Sequence, residues 1–160
     1  MASTDLWLRL GRHFRESAAE IRIHPNLDAA LVRVSTPLPM NSRGSGYLRP
    51  LYAAPREDLL GYWMRCLGYG SREIGAPMGA LGTAYLQVEA VSANDFVLQP
   101  NPSDQAIWHG DSGGPCLRDG ALVGIAEHLR ADPGPGEIVG ADETAIWALR
   151  DWIVTAACDA

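Results

Sequence analysis

Residues 110–115 read Gly-Asp-Ser-Gly-Gly-Pro, and this stretch is the most informative part of the chain for deciding its fold. From average residue usage, a specified hexamer of this composition arises by chance on the order of once in 10⁷ positions. Glycines around Ser112 let the backbone turn sharply and present its N–H groups. A nucleophilic serine needs an exposed hydroxyl and nearby donors for the oxyanion that its attack on a carbonyl creates. The stretch therefore predicts a serine nucleophile at Ser112.

Two catalytic folds carry a serine between glycines in this way. One is the nucleophile elbow of α/β-hydrolases, Gly-x-Ser-x-Gly, which needs a strand before the turn and a helix after it. Here Pro115 follows the turn, and the strand-like segments 116–118 and 121–125 flank Asp119-Gly120, a strong two-residue hairpin signal. No alternation of strands and helices is visible in the sequence, so the elbow is set aside.

Most of the chain reads as short strands, because proline and glycine interrupt it often and apolar residues alternate between the interruptions. The predicted strands are residues 20–24, 29–34, 62–67, 84–91, 96–98, 116–118 and 121–125. In the clearest of them, 84–91, the apolar residues Ala84, Leu86, Val88 and Ala90 are predicted to share the buried face. The pattern indicates an all-β protein with many turns.

One helix is predicted near the C-terminus. Ile146, Leu149 and Ile153 form a single apolar stripe, and Asp142 or Thr144 is the expected N-cap. Residues 43–56 and 131–136 read as loops, and no linker divides the chain into two independent domains.

The order of these features resembles the chymotrypsin/trypsin-like serine protease family. The hexamer is similar to the segment around that family's nucleophile, and residues 122–125, Leu-Val-Gly-Ile, resemble the strand after it. Residues 67–70, Leu-Gly-Tyr-Gly, resemble the family's Gly-Trp-Gly strand end with Tyr69 in place of tryptophan. The stretch His-Pro-Asn-Leu-Asp-Ala-Ala-Leu at 24–31 is similar to the one that bears the catalytic aspartate, and 146–153 resemble the C-terminal helix. The matches run in family order from Trp7 to Trp152.

The resemblance implies an all-β fold, a trypsin-like double β-barrel with a C-terminal α-helix. The whole chain, 1–160, would be a single protease domain. Residues 1–58 would be a remnant of the N-terminal barrel, and residues 59–160 the C-terminal barrel with its helix. A double barrel needs about 200–250 residues, so the first part of the N-terminal barrel is expected to be missing.

The same resemblance assigns roles to four residues. Ser112 would be the nucleophile that attacks a peptide or ester carbonyl, and the backbone N–H groups of Gly110 and Ser112 would form the oxyanion hole. Asp28 would be the buried carboxylate that fixes a histidine tautomer. Asp111 would be the buried acid that shapes the hole, normally paired with a cationic group such as a freed α-amine.

The histidine that should serve as general base has no counterpart, because nothing before Asp28 resembles the family's Thr-Ala-Ala-His-Cys segment. Among the histidines present, His24 is expected to be structural, His109 to lie at the rim, His128 to form a wall of the cleft, and His13 to lie on a surface strand. We therefore expect a serine endopeptidase whose chain, as given, is N-terminally incomplete and inactive. The alternatives are a pseudoprotease that acts as a binding or regulatory module, and an unstable fragment.

Three residues are candidates for the specificity pocket. Ala106 lies six positions before Ser112, where an aspartate would select arginine or lysine, so such a pocket is not supported. Glu127 stands where a small serine usually borders the cleft, and His128 replaces an aromatic residue. The cleft is expected to be atypical.

Composition limits the partners. The 160 residues carry 19 acidic and 13 basic side chains, a formal net charge of −6, and no basic stripe that would collect nucleic-acid phosphates. No stretch is apolar for long enough to span a membrane, and the N-terminus does not read as a signal peptide. A secreted location is therefore implied by the family alone. We expect a peptide or protein substrate, no metal and no organic cofactor, and the sequence leaves the oligomeric state open.

Three cysteines, Cys66, Cys116 and Cys158, form neither a disulfide framework nor a metal-ligand pattern. They are expected to be unpaired thiols. Every basic residue is arginine and none is lysine, which points to a high-GC coding sequence. Together with the sparse cysteines, this composition fits a bacterial member of the family rather than an animal one.

Overall fold

The computed structural model describes residues 7–10, 14–37, 49–71, 78–101, 103, 105–131 and 138–158. The chain forms two compact units, Met1–Arg49 with Trp152–Ala160, and Pro50–Asp151. The predicted loops at 43–56 and 131–136 lie partly outside the described residues, as does His13. The helix of the described part is too short to cross a membrane.

The first unit contains a three-stranded antiparallel sheet. Its strands are β1 Trp7–Leu10, β2 Phe14–Ile23 and β3 Ala30–Val34, in that order across the sheet. Strands β2 and β3 form a hairpin in which Ile21 lies opposite Val32. Strand β2 is longer than the segment 20–24 that the sequence predicts, because pairing with β1 extends order toward its beginning.

The second unit is a closed six-stranded antiparallel barrel, preceded by a short 3-10 helix at Arg56–Leu59. The strand order around the barrel is β4-β5-β6-β9-β8-β7, and β7 pairs with β4 to close it. The strands are β4 Trp63–Gly68, β5 Gly82–Val91, β6 Asp95–Gln99, β7 Pro115–Arg118, β8 Ala121–Ala131 and β9 Ile138–Ala145. Helix α1, Ile146–Cys158, follows β9 directly.

The barrel core comes from the inward-facing residues of these strands. Met64, Leu86, Val88, Phe96 and Leu98 are almost completely buried there, as expected for the apolar face of a strand closed on itself. The predicted alternation of β5 is confirmed at Leu86 and Val88. It is wrong at Ala90, which is exposed, because a bulge between Val88 and Ala90 shifts the register with β6.

The hairpin between β7 and β8 is confirmed. Asp119 and Gly120 have φ values of 50° and 83°, both positive, as a two-residue turn of the I′ type requires. This turn reverses the chain immediately after the Ser112 stretch. It therefore fixes the strand, rather than the helix of a nucleophile elbow, as the element that follows the serine.

The predicted helix is confirmed, but its N-cap is wrong. Asp142 and Thr144 lie in strand β9, and the helix begins only at Ile146. Strand β9 pairs with β6 on one side and β8 on the other. Two ladders of hydrogen bonds outweigh the local capping preference of Asp142, whose carboxylate instead binds Arg130 at 2.6 Å.

The expectation of three unpaired thiols is also wrong. Cys66 and Cys116 form a disulfide between β4 and β7, with Cα atoms 4.1 Å apart, and only Cys158 is free. These two cysteines face each other because the antiparallel register of β4 and β7 pairs them directly. Their spacing of 50 residues carries no hint of that register.

Candidate functional site

The Ser112 turn connects the segment 105–108 to strand β7. Gly110 and Gly113 have φ values of 92° and 80°, in the left-handed region that glycine adopts without strain. The Asp111 N–H donates to the carbonyl of Trp108 at 3.0 Å, and the Gly113 N–H donates to Ala126 at 2.8 Å. These bonds hold a tight turn against β8 and leave Ser112 exposed at its tip.

The peptide bond before Gly110 is oriented so that its N–H is available. The His109 carbonyl accepts a hydrogen bond from the Ser71 N–H at 3.0 Å. Because this peptide is trans, the Gly110 N–H points away from Ser71. Neither the Gly110 nor the Ser112 N–H has an acceptor within the described part of the chain. Two backbone donors of the turn, the Gly110 N–H and the N–H of the serine itself, are thus unoccupied within the described residues.

The Asp111 side chain stabilises the turn by accepting two backbone hydrogen bonds. One carboxylate oxygen accepts from the Gly70 N–H at 2.7 Å, and the other accepts from the Trp108 N–H at 2.9 Å. No cation lies within ion-pair distance of Asp111 among the residues that the structure describes. Two backbone donors hold the carboxylate where the resemblance implies a cationic partner.

Glycine at position 68 makes room for this carboxylate. A Cβ atom on Gly68 would lie 2.6 Å from Asp111 Cγ, which is closer than real Cβ contacts come. We expect Gly68→Ala to lower the free energy of unfolding by about 1–3 kcal/mol, the usual cost of overpacking. Urea unfolding measures this, and Gly82→Ala is the matched control because its nearest contact would be an ordinary 3.7 Å. Equal unfolding midpoints for the two variants would show that Asp111 moves at no cost.

The Ser112 hydroxyl donates to a backbone carbonyl rather than to an imidazole. Its Oγ lies 3.4 Å from the Glu127 carbonyl oxygen. His109 is exposed and its ring contacts the edge of Trp108. None of the described histidines hydrogen-bonds Ser112.

Glu127 and His128 pair with each other and with the neighbouring strand. Glu127 accepts from Thr144 Oγ1 at 2.8 Å through one carboxylate oxygen, and its other oxygen lies 3.1 Å from His128 Nδ1. The Glu127 side chain is 24% exposed and that of His128 is 68% exposed. The Glu127 carboxylate therefore fixes the His128 imidazole at the surface of β8. A role of either residue in specificity stays a prediction.

A cavity of about 380 Å³ lies beneath the turn. Its wall consists mainly of small residues, among them Gly70, Ala84, Ala106 and Ala126, and among the described lining residues Asp111 alone is charged. The structure thus brings Ala106 together with Asp111 at this cavity, whereas Glu127 and His128 do not line it.

Asp28 lies in the first unit, in the turn between β2 and β3. The expectation of a buried carboxylate is wrong, because Asp28 is exposed and makes no hydrogen bond with another described residue. The turn is held instead by His24, whose Nδ1 accepts from the backbone N–H of Leu27 at 3.0 Å. The His24 ring packs edge-on against Trp152 at 5.0 Å. His24 is therefore structural, as expected.

Two further residues, Glu143 and Met78, are not predicted from the sequence. Glu143 on β9 is completely buried, and neither carboxylate oxygen has a hydrogen-bond partner among the described residues. Burial raises the pKa of Glu143 well above its ordinary value, and the nearby Asp142 and Glu127 raise it further. The alternation of Ala141, Glu143 and Ala145 signals an inward-facing acid once 138–145 is read as a strand. Met78, which contacts Gly110, has no signal in the sequence.

The sequence matches no family model and no curated protein. Solved structures do resemble it. The inactivated protease paralogue S-I1 of the scabies mite is 18% identical, with a TM-score of 0.69 over 86% of this chain and 67% of that one. The scabies mite inactivated protease paralogue S-D1 is 16% identical, with a TM-score of 0.75 over 91% and 71%.

The chain has a trypsin-like fold. The closed six-stranded barrel, the mostly β composition and the C-terminal helix agree with that likeness, and the predicted fold class is confirmed. At these identities the likeness establishes the fold alone.

Proposed function

We propose that this trypsin-fold protein binds the backbone of a peptide or protein at the Ser112 turn without hydrolysing it. The observation that carries the proposal is the hydrogen-bond partner of the Ser112 hydroxyl. That partner is the Glu127 carbonyl, which cannot take up a proton. A serine hydroxyl is a weak nucleophile unless a base removes its proton.

The backbone around Ser112 supports the binding half of this proposal. The N–H groups of Gly110 and Ser112 have no acceptor within the described residues, and Asp111 and the His109 carbonyl hold the backbone that carries them. A peptide carbonyl placed against these donors gains hydrogen bonds that the protein alone does not make. Such preorganised donors bind a carbonyl oxygen whether or not a nucleophile attacks it.

Two further observations support the proposal, one concerning activity and the other concerning location. The similar structures S-I1 and S-D1 are named as inactivated protease paralogues, so the fold is known to persist in proteins described as inactive. The Cys66–Cys116 disulfide favours an oxidising compartment, which supports the secreted location that the family resemblance implies.

An active serine endopeptidase is the second candidate, and the Gly-Asp-Ser-Gly-Gly-Pro stretch favours it. In that reaction Ser112 Oγ would attack the peptide carbonyl while a histidine takes its proton, and the two N–H donors would hold the oxyanion. The histidine would then protonate the leaving amine. This candidate requires an imidazole at Ser112 Oγ that is absent from the described residues.

A fluorophosphonate probe separates the two candidates, because it labels only an activated serine. We expect the purified chain to be labelled no faster than its Ser112→Ala variant. Stoichiometric labelling at Ser112 would overturn the proposal in favour of the endopeptidase.

Binding is tested with a panel of acetylated, amidated octapeptides that vary at one central position. We expect the amide NMR signals of residues 110 and 112 to shift on titration in both the native chain and Ser112→Ala. If no peptide shifts these two signals, the proposed binding site is wrong.

A further inference from the structure

Met78 differs from Met64, the other methionine that the structure describes. The residue Met78 is 65% exposed, whereas Met64 is completely buried in the barrel core. Exposed thioethers are oxidised by peroxides, and buried ones are protected because the oxidant cannot reach the sulfur. Within the described part of the chain, Met78 is thus the methionine that an oxidant reaches first.

The sulfur of Met78 lies directly against the Ser112 turn. A Cβ atom built on Gly110 would lie 2.5 Å from Met78 Sδ, so the thioether occupies the space beside the Gly110 α-carbon. The next residue, Gly79, donates its N–H to the Tyr69 carbonyl at 2.8 Å and anchors this part of the chain to the end of β4. The hydrogen bond from Gly79 to Tyr69 therefore helps to hold Met78 against Gly110.

The polarity of this contact matters because of the donor beside it. A thioether sulfur is a weak acceptor, and the Gly110 N–H has no acceptor among the described residues. Methionine sulfoxide is polar, and its oxygen accepts hydrogen bonds. The Gly110 N–H belongs to the α-carbon that the sulfur contacts, so oxidation of Met78 would bring a strong acceptor within reach of this unoccupied donor.

We propose that Met78 is an oxidation site. Its sulfoxide oxygen accepts a hydrogen bond from the Gly110 N–H and so prevents the Ser112 turn from binding a peptide carbonyl. The O–O bond of a hydroperoxide breaks, one oxygen forms the S–O bond, and the second leaves as water or an alcohol. The sulfur loses two electrons and the peroxide gains them. The oxidation of Met78 does not depend on the proposed function, whereas its effect on peptide binding rests on that function.

The experiment uses the full chain in a Cys158→Ser background, because Cys158 is an exposed free thiol that peroxide also oxidises. The protein is treated with hydrogen peroxide, and peptide mass spectrometry locates the added oxygen. Met78→Leu in the same background is the matched control, since it keeps an apolar side chain beside Gly110 without the sulfur. Each protein is compared with itself before and after treatment, so effects of the substitution cancel.

The first readout does not depend on any ligand. We expect hydrogen exchange of the Gly110 amide to slow by about 10-fold after oxidation, because the N–H gains a hydrogen bond. The Met78→Leu protein should show no change at Gly110. Unchanged exchange in a protein carrying Met78 sulfoxide, or equal slowing in Met78→Leu, would overturn the proposal.

The second readout is binding of the octapeptide panel. Oxidised protein should bind the same peptides about 10-fold more weakly, and a methionine sulfoxide reductase with dithiothreitol should restore binding. If no peptide binds even the reduced protein, the proposed function fails while the exchange experiment still decides the oxidation site. If peptides bind equally before and after oxidation, the closure of the turn is wrong and the binding site remains.

Discussion

Replacing both Cys66 and Cys116 with alanine is expected to lower the free energy of unfolding by about 3–4 kcal/mol. The disulfide closes a loop of 50 residues and so lowers the conformational entropy of the unfolded chain. Without the bond the unfolded chain regains this entropy and becomes more favourable. It also joins β4 to β7, the seam at which the barrel closes. Urea unfolding of the variant against the native chain measures the loss.

Two controls separate the bond from the side chains. Cys158→Ala removes an exposed free thiol and should change the free energy of unfolding by no more than about 0.5 kcal/mol. Dithiothreitol added to the native chain should reproduce the destabilisation of the double variant without any substitution. An unchanged midpoint in dithiothreitol, with both thiols shown to be alkylated after unfolding, would mean that the bond does not stabilise the barrel.

The second large effect concerns the buried acid Glu143. Its folded pKa is raised, chiefly by burial and then by Asp142 and Glu127, above the ordinary value of 4.5 that the unfolded chain keeps. Below pH 4.5 the Glu143 carboxyl is protonated in both the folded and the unfolded state, so its ionisation takes nothing from the stability of the fold. As the pH rises, the unfolded chain loses the proton first, so stability falls until the folded pKa is passed. We expect the free energy of unfolding to decline from about pH 4.5 toward alkaline pH.

Glu143→Leu should remove this contribution. Phe96 on β6 and Ala126 on β8 lie opposite Glu143, so an apolar side chain fits its surroundings. The variant should be more stable by about 1–3 kcal/mol at neutral pH, the cost of a buried polar group without partners, and the difference should grow as the pH rises. Urea unfolding between pH 5 and pH 9 tests this, and Glu89→Leu at an exposed position of β5 is the control. Parallel stability curves for the native chain and Glu143→Leu would contradict the ionisation argument.

Local features of the chain were predictable from sequence because neighbouring residues produce them. The hairpin at Asp119-Gly120 follows from two residues that accept a positive φ, and the alternation at Leu86 and Val88 follows from the period of a strand. The glycines around Ser112 dictate a sharp turn with exposed donors for the same reason. Glycine in these positions removes a steric restriction that no distant contact has to overcome.

Features that depend on pairing between distant strands were missed or misread. Asp142 and Thr144 read as helix caps until β9 is seen between β6 and β8. Cys66 and Cys116 read as idle thiols until the register of β4 and β7 brings them face to face. In each case the deciding contacts join residues more than ten positions apart in the sequence, and local propensity carries no information about them.

The sequence by itself determined the character of the Ser112 turn, which rests on local backbone preferences. Its short motifs also carried the resemblance that implied the trypsin-like fold. Only the tertiary structure decided the chemistry around that turn. It placed the Ser112 hydroxyl against the Glu127 carbonyl, two backbone donors on Asp111, and the Met78 sulfur against Gly110. These partners come from separate strands and loops, so their meeting depends on how the barrel closes.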